Sequence, residues 1–246
     1  MKRSRRLRLV LRLAFLGALV PAGFLGFRWW GGNRGVVIPG RVYRSGQLDG
    51  DSLAAWVRRD GIRTVINLRG PNPPIAWYRA ERAATLGEGA TQVDLTLASD
   101  HWLSRAQART LLEALDGAEY PILIHCQWGA ERTGLVSSFL QLLEEGKGPE
   151  AAASEFAPYY LYAPTKDGRV MSGHLGLYRA WLLEHRLEHT PSRFRTWLLN
   201  DYRPPFPSRE YWMFDPYPLV VTTRPAGEAP GPGPLPTARA VTRETR

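Results

Sequence analysis

The stretch from Ile122 to Leu143 constrains this chain more than any other. Ile122-Leu123-Ile124 is an apolar run, residues His125 to Gly134 read HCQWGAERTG, and Leu135 to Leu143 repeats apolar residues at helical spacing. The order predicts a strand that feeds a tight loop, which opens directly into a helix. Backbone N–H groups in such a loop converge on one point, and the helix dipole favours an anion there. Cys126 is the only cysteine in 246 residues and sits at the start of the loop. The same field that favours an anion lowers the pKa of its thiol. The stretch therefore reads as a phosphate cradle with a thiolate in its floor.

The flanking segments predict the sheet that presents this loop. Residues 36–47 (VVIPGRVYRSGQ) read as one extended segment closing in a Ser-Gly turn. Asp49 to Asp60 has helical spacing, with Asp49 or Asp51 as cap and Gly61 as stop. Ile62 to Leu68 is a β-branched strand broken by Arg69-Gly70-Pro71, Ile75 to Leu86 a helix, and Thr91 to Leu97 a further strand. Ser104 caps a helix reaching Asp116, and helices are expected over 132–145, 149–156, 172–189 and 192–200. Strands alternating with helices imply an α/β fold, a mainly parallel sheet of four to five strands flanked by helices. Ligands bind such sheets at the carboxyl ends of the strands, where Cys126, Arg69 and the loop Ala98–Leu103 should meet.

The pattern His-Cys-x-x-Gly-x-x-Arg-Thr-Gly resembles the signature of the protein tyrosine phosphatase superfamily, most of all its compact dual-specificity branch in bacteria. Val42-Tyr43-Arg44-Ser45-Gly46-Gln47 is similar to the opening strand of that branch. The resemblance spans about residues 36–145 and continues towards 200. It implies a dual-specificity phosphatase-like fold and a phosphatase that works without metal or cofactor.

Each residue of the motif then has an expected task. Cys126 attacks phosphorus and forms a cysteinyl phosphate. Arg132 offers a planar fork to two phosphoryl oxygens. The amides from Gln127 through Trp128, Gly129, Ala130 and Glu131 to Arg132 complete the cradle, and Gly129 lets the backbone turn. Thr133 donates its hydroxyl to the sulfur, and His125 orients the group rather than acting as a base. The resemblance also calls for an acid that protonates the leaving oxygen. Asp100, just past a strand in Ala-Ser-Asp-His-Trp-Leu-Ser, is preferred over Asp94, which falls inside the strand pattern. Trp102-Leu103 stands where relatives often have proline. Arg69 is a candidate for substrate charge recognition. Trp128 and Glu131 make the loop neutral to acidic, which favours phosphotyrosine-like or small phosphate monoesters over polyphosphorylated inositides.

The ends of the chain carry most of its +9 charge. Residues 1–12 hold six Lys or Arg and no acid, and residues 222–246 hold four Arg against two Glu, so about +1 remains for the body. A nearly neutral body with no recognised module argues against nucleic acid as a partner. Leu13 to Phe27 is apolar, extends back to Leu9 across Arg12, and ends at Arg28-Trp29-Trp30. This predicts an uncleaved single-pass membrane anchor over residues 1–30, preferred over a cleaved signal peptide, with the catalytic domain outside the cytoplasm. The domain itself is expected over 31–200, followed by a Pro/aromatic-rich extension at 201–221 and a disordered tail at 222–246. His185 and His189 have a metal-like spacing but lack a third ligand, so no metal site is expected.

Three functions fit these features. The preferred one is a cysteine-dependent phosphatase of phosphorylated proteins, with phosphoinositides as alternative substrates. The second is a tethered phosphate-binding module without turnover. The third, an arsenate-reducing or sulfur-transfer loop, is disfavoured because the chain has no further cysteine and the Arg-Thr-Gly continuation is not required there.

Overall fold

The computed structural model describes residues 12, 17, 19, 21–144, 146–165, 168–206, 208, 220–223 and 239–240. The strands are β1 (Gly35–Ile38), β2 (Val42–Ser45), β3 (Thr64–Asn67), β4 (Thr91–Asp94), β5 (Ile122–His125), β6 (Val220–Thr222) and β7 (Arg239–Ala240). They form one sheet in the order β1-β2-β5-β3-β4-β6-β7. The inner strands β2, β5, β3 and β4 are parallel, as the alternating pattern predicts. The antiparallel edges were not anticipated. Pro39 and Gly40 (φ +71°) fold the expected single extended segment into a hairpin, β1 against β2. At the other edge β6 pairs with β4 and β7 with β6, so Thr222 and Arg239–Ala240, expected in a disordered tail, are strand residues. The rest of that tail lies outside the described residues, apart from Thr223.

The helices are α1 (Gly50–Asp60), α2 (Ala76–Gly87), α3 (Arg105–Asp116), α4 (Glu131–Leu143), α5 (Pro149–Ala153), α6 (Gly168–His185) and α7 (Pro191–Thr196). Their ends follow local chemistry. The Asp49 carboxylate accepts from the Ser52 amide at 2.8 Å, and Gly61 closes α1 in a left-handed conformation. Ser104 and Gln107 cap each other at the start of α3, both hydrogen bonds at 3.0 Å. Helix α4 is buried from Thr133 to Leu142 without a polar face, the mark of a central helix. It packs against the sheet and against α6 and α7, with Phe139 edge-on to Phe194 at 5.1 Å. Truncating Phe139 to Ala would cost about 3–5 kcal/mol. A second, smaller core lies on the other face, where Leu53, Trp56 and Val57 of α1 cover Val65 and Leu123.

Among the described residues no helix is long and apolar enough to cross a membrane, which overturns the single-pass membrane reading and the membrane as a partner. Most of residues 1–20 lies outside the described residues. The physical reason for the error is visible at residues 28–33. Arg28 and Trp29 looked like a basic and aromatic exit from a bilayer, but they pack on the protein. The helix at residues 21–30 brings Arg28 into a buried position, where it donates to Asn33 Oδ1 at 2.8 Å and to the carbonyls of Arg34 and Tyr159 at 2.7 and 3.0 Å. Trp29 stacks on Trp128, ring centroids 4.2 Å apart.

Candidate active site

Strand β5 ends at His125, and the next residue, Cys126, lies buried at the carboxyl edge of the sheet. Residues 126–130 form the loop and Glu131 begins α4. Gly129 has φ +69°, and a Cβ there would come within 2.5–2.7 Å of the backbone of Ser45 and Gly46. Only glycine satisfies both the conformation and the close approach. The turn brings the Gly129 amide to within 3.3 Å of Cys126 Sγ, to which it donates.

Burial by itself raises the thiol pKa of Cys126. The charge of Arg132, hydrogen bonds from the Thr133 hydroxyl and amide, and the Gly129 amide outweigh it, and the net shift is downwards. Arg132 is held at the carboxyl ends of two neighbouring strands. Its Nη1 donates to the carbonyl of Leu97 at 3.2 Å and reaches that of Leu68 at 3.5 Å. Its Nε is buried without a hydrogen-bond partner among the described residues. Thr133 is fully buried, with Oγ1 also 3.5 Å from the Ser45 carbonyl. Ala130 is buried at the cap of α4, while Gln127 and Trp128 are exposed and Glu131 is half-buried.

His125 is buried and its Nε2 lies 3.2 Å from Glu81 Oε2. Burial works against charge on the imidazole, yet the carboxylate of Glu81 and the neighbouring sulfur raise its pKa. Glu81 is shifted the opposite way: burial would raise it, and His125, Gln47 and Gln92 together bring it below its ordinary value. Glu81 accepts from Gln47 Nε2 at 2.5 Å and Gln92 Nε2 at 2.8 Å. Gln47 in turn accepts from Arg69 Nη1 at 2.9 Å, and Arg69 lies over the ring of Trp77, 3.6 Å from its centroid. Burial and then Arg132 lower the pKa of Arg69, whereas Glu81 and Cys126 raise it. Arg69 thus shares an electrostatic site with Cys126 and Arg132.

The two candidate acids fall in different surroundings. Asp94 closes β4 and is fully buried, accepting from Tyr78 at 2.5 Å, Asn67 at 2.8 Å and Gln92 at 3.1 Å. Burial raises its pKa. Asp100 lies on the exposed bend at residues 99–101, with Oδ1 2.8 Å from His101 Nδ1. The loop holding it is fixed at both ends. Before it, Leu97 O is held by Arg132; after it, Trp102 packs against His174 with centroids 4.7 Å apart, and Leu103 N donates to His174 Nε2 at 3.2 Å. The C-terminal extension returns to the same place, since Tyr202 donates to Leu103 O at 2.9 Å and Ser208 bridges Trp102.

Sequence reasoning named Arg44 and Gln47 only within the opening strand, without a task, and did not single out Glu81. The signal for Glu81 was available: it is a charge on the face of α2 that also carries Tyr78 and Thr85. Among the described residues there is no group of three or more His, Cys, Asp or Glu that could hold a metal ion.

A family described as "DSP-PTPase phosphatase fused to NAD+ Kinase" matches residues 38–166, just over half of the chain. No curated protein matches significantly. Among solved structures, TpbA of P. aeruginosa is similar at 23% identity and a TM-score of 0.43, covering 57% of this chain and 87% of its own. The core catalytic domain of the PP-IP phosphatase SIW14 from S. cerevisiae, in complex with citrate, is similar at 18% identity and a TM-score of 0.43, covering 61% and 94%. With the cysteine loop and Arg132 inside the matched segment, the chain belongs to the DSP-PTPase phosphatases, cysteine-dependent enzymes of the protein tyrosine phosphatase superfamily.

Proposed function

We propose that this phosphatase hydrolyses phosphotyrosine-type monoesters of proteins through a cysteinyl-phosphate intermediate. The observation that carries the reading is the surroundings of Cys126, a buried sulfur whose thiolate is favoured by Arg132, Thr133 and the Gly129 amide. In the first step the sulfur forms a bond to phosphorus while the P–O bond to the leaving group breaks. Asp100 supplies the proton to that oxygen. The Arg132 fork, including the Nε that has no partner among the described residues, takes the equatorial oxygens, where it meets charge that grows in the transition state. In the second step water attacks phosphorus, Asp100 receives its proton, and the S–P bond breaks with the Thr133 hydroxyl supporting the departing thiolate.

The preference for single phosphoryl groups on an aromatic carrier rests on the rim. The loop between Cys126 and Arg132 holds no lysine or arginine and includes Glu131, and Trp128 offers an exposed ring. Arg69, stacked on Trp77 and half-buried, adds a cation near the sulfur. A polyphosphorylated ring would need more positive charge than this rim supplies.

The test is hydrolysis of p-nitrophenyl phosphate and a phosphotyrosine peptide by the full chain in excess chelator. Activity should persist without metal and vanish in Cys126→Ser. Turnover surviving in that variant would sink the mechanism. Faster turnover of a phosphoinositide than of the peptide would sink the substrate assignment while leaving the mechanism intact.

A further inference from the structure

Three successive peptide groups of the cysteine loop have their carbonyls held from outside. Gln127 O accepts from the Gln47 amide at 3.0 Å, Trp128 O from Asn33 Nδ2 at 2.8 Å, and Gly129 O from Arg44 Nη2 at 2.6 Å. In a planar trans peptide the C=O and the following N–H point in opposite directions. Fixing these carbonyls outward therefore aims the amides of Trp128, Gly129 and Ala130 inward. The Gly129 amide shows the result, donating to Cys126 Sγ at 3.3 Å.

Gln47 and Arg44 lie within the segment shared with the family, but Asn33 precedes it. Asn33 sits just beyond the helix at residues 21–30, where a left-handed turn (Gly32 φ +70°, Asn33 φ +50°) returns the Asn33 amide to Arg28 O at 2.8 Å. Asparagine tolerates that conformation better than most side chains. The side chain is buried and its contacts are accounted for: Nδ2 donates to Trp128 O and to Tyr160 O at 2.7 Å, while Oδ1 accepts from Arg28. Trp29 stacks on Trp128 from the same turn, and Gly32 O accepts from Gly46 N at 2.8 Å.

We infer that Asn33 is a positioning residue of the active site: by pinning the Trp128 carbonyl it turns the Gly129 amide onto the Cys126 sulfur and the phosphoryl group. Arg28 holds Asn33 in place, so the turn at residues 28–33 is a working part of the phosphatase rather than a tether. This rests on the proposed role of Cys126 as nucleophile.

The test measures the pH dependence of Cys126 alkylation by iodoacetamide and the inhibition of turnover by inorganic phosphate, in the full chain. Asn33→Gly keeps the turn and removes both donors. Asn33→Asp keeps the turn and the oxygen used by Arg28 but removes the amide donor. Its added charge also raises the midpoint, so an unshifted midpoint in this variant overturns the inference even if the glycine variant fails to fold, and weakened phosphate inhibition in Asn33→Gly supports it. The charges facing Cys126 are Arg132 from α4, His125 from β5, Arg44 from β2 and Arg69 beyond β3. Asn33→Gly adds none to them, whereas Asn33→Asp adds a carboxylate beside Arg28 that by itself raises the midpoint. Losing one hydrogen bond to the thiolate should move the alkylation midpoint up by about one pH unit and weaken phosphate inhibition about tenfold. Thermal unfolding is followed alongside. Wild-type midpoints and wild-type phosphate inhibition in the folded variants, whatever their stability, would overturn the inference. Absence of aryl-phosphate turnover in the wild type would instead defeat the proposed function, and the alkylation midpoint would still report on Asn33.

Discussion

Arg132 Nη1 donates to the carbonyl of Leu97, 3.2 Å away, so the arginine of the cysteine loop also holds the entrance of the loop that carries Asp100. One side chain thereby links the proposed phosphate fork to the proposed acid. Arg132→Lys keeps a positive charge near the sulfur but loses the planar fork. Its kcat/KM on an aryl phosphate should fall about 10²–10³-fold, while the alkylation midpoint of Cys126 stays near the wild-type value. Arg132→Met, which removes the charge as well, should raise that midpoint. A lysine variant with near-normal turnover would show that charge alone suffices.

Asp94 and Asp100 should separate cleanly by leaving group. Asp94 accepts three hydrogen bonds in a buried position, and Asp94→Asn replaces one acceptor by a donor facing Tyr78, Asn67 or Gln92. A loss of about 1–3 kcal/mol in unfolding free energy is expected, with the ratio of alkyl to aryl phosphate turnover unchanged. Asp100→Asn should leave stability within about 0.5 kcal/mol and slow alkyl phosphates far more than p-nitrophenyl phosphate, whose leaving group needs no proton. The reverse pattern would transfer the acid role to Asp94.

The parallel centre of the sheet and the cysteine loop were legible because their signals are local. Ile122-Leu123-Ile124 is a fully buried strand by composition, and the spacing from Cys126 to Arg132 fixes a loop whatever lies around it. The edges were not legible. Pro39-Gly40 was absorbed into one extended segment, and β6 comes from a stretch whose proline and aromatic content masks a three-residue strand. Arg28 and Trp29 were misread for a physical reason. Snorkelling arginines and interfacial tryptophans have the same composition as an arginine buried on carbonyls and a tryptophan stacked on its neighbour. Only long-range partners, Tyr159 for Arg28 and Trp128 for Trp29, distinguish the two. The same limit hid Asn33 and Glu81, whose partners lie far along the chain.

Arg44 and Glu155 form a buried ion pair at 2.6 Å, with Arg44 also lying over the ring of Tyr160 at 3.7 Å and donating to Gly129 O. Burial lowers the pKa of Arg44, and Glu155 counters it. Arg44→Met would strand the Glu155 carboxylate and should cost about 3–5 kcal/mol in urea unfolding. Glu155→Gln placed on top should recover part of that loss, because the remaining amide needs no counter-ion. Turnover should not recover with it, since the Gly129 carbonyl still lacks its anchor. Recovery of stability and activity together would reduce Arg44 to a charge partner.

His174 couples the same region to acidity. Its Nε2 accepts from the Leu103 amide, so its Nδ1 carries the proton and donates to the Val170 and Met171 carbonyls at 3.0 and 3.1 Å. Trp102, Phe139 and Tyr202 surround the ring. Burial without a counter-charge lowers its pKa to about 4, against 6.5 for an exposed histidine. Between those values the unfolded chain binds a proton that the folded one does not, so stability is complete above pH 6.5 and declines as pH falls towards 4. The decline attributable to this group is about 3 kcal/mol. Protonation at Nε2 would also set a donor against the Leu103 amide and release the loop that holds Asp100. Unfolding free energies at pH 7, 6, 5 and 4 check this, with His174→Phe as the comparison. The variant lacks the titrating ring and loses less stability over this range, although it starts lower at pH 7 because Leu103 N–H is left unpaired. Equal losses in the two proteins would assign the acid sensitivity to other groups.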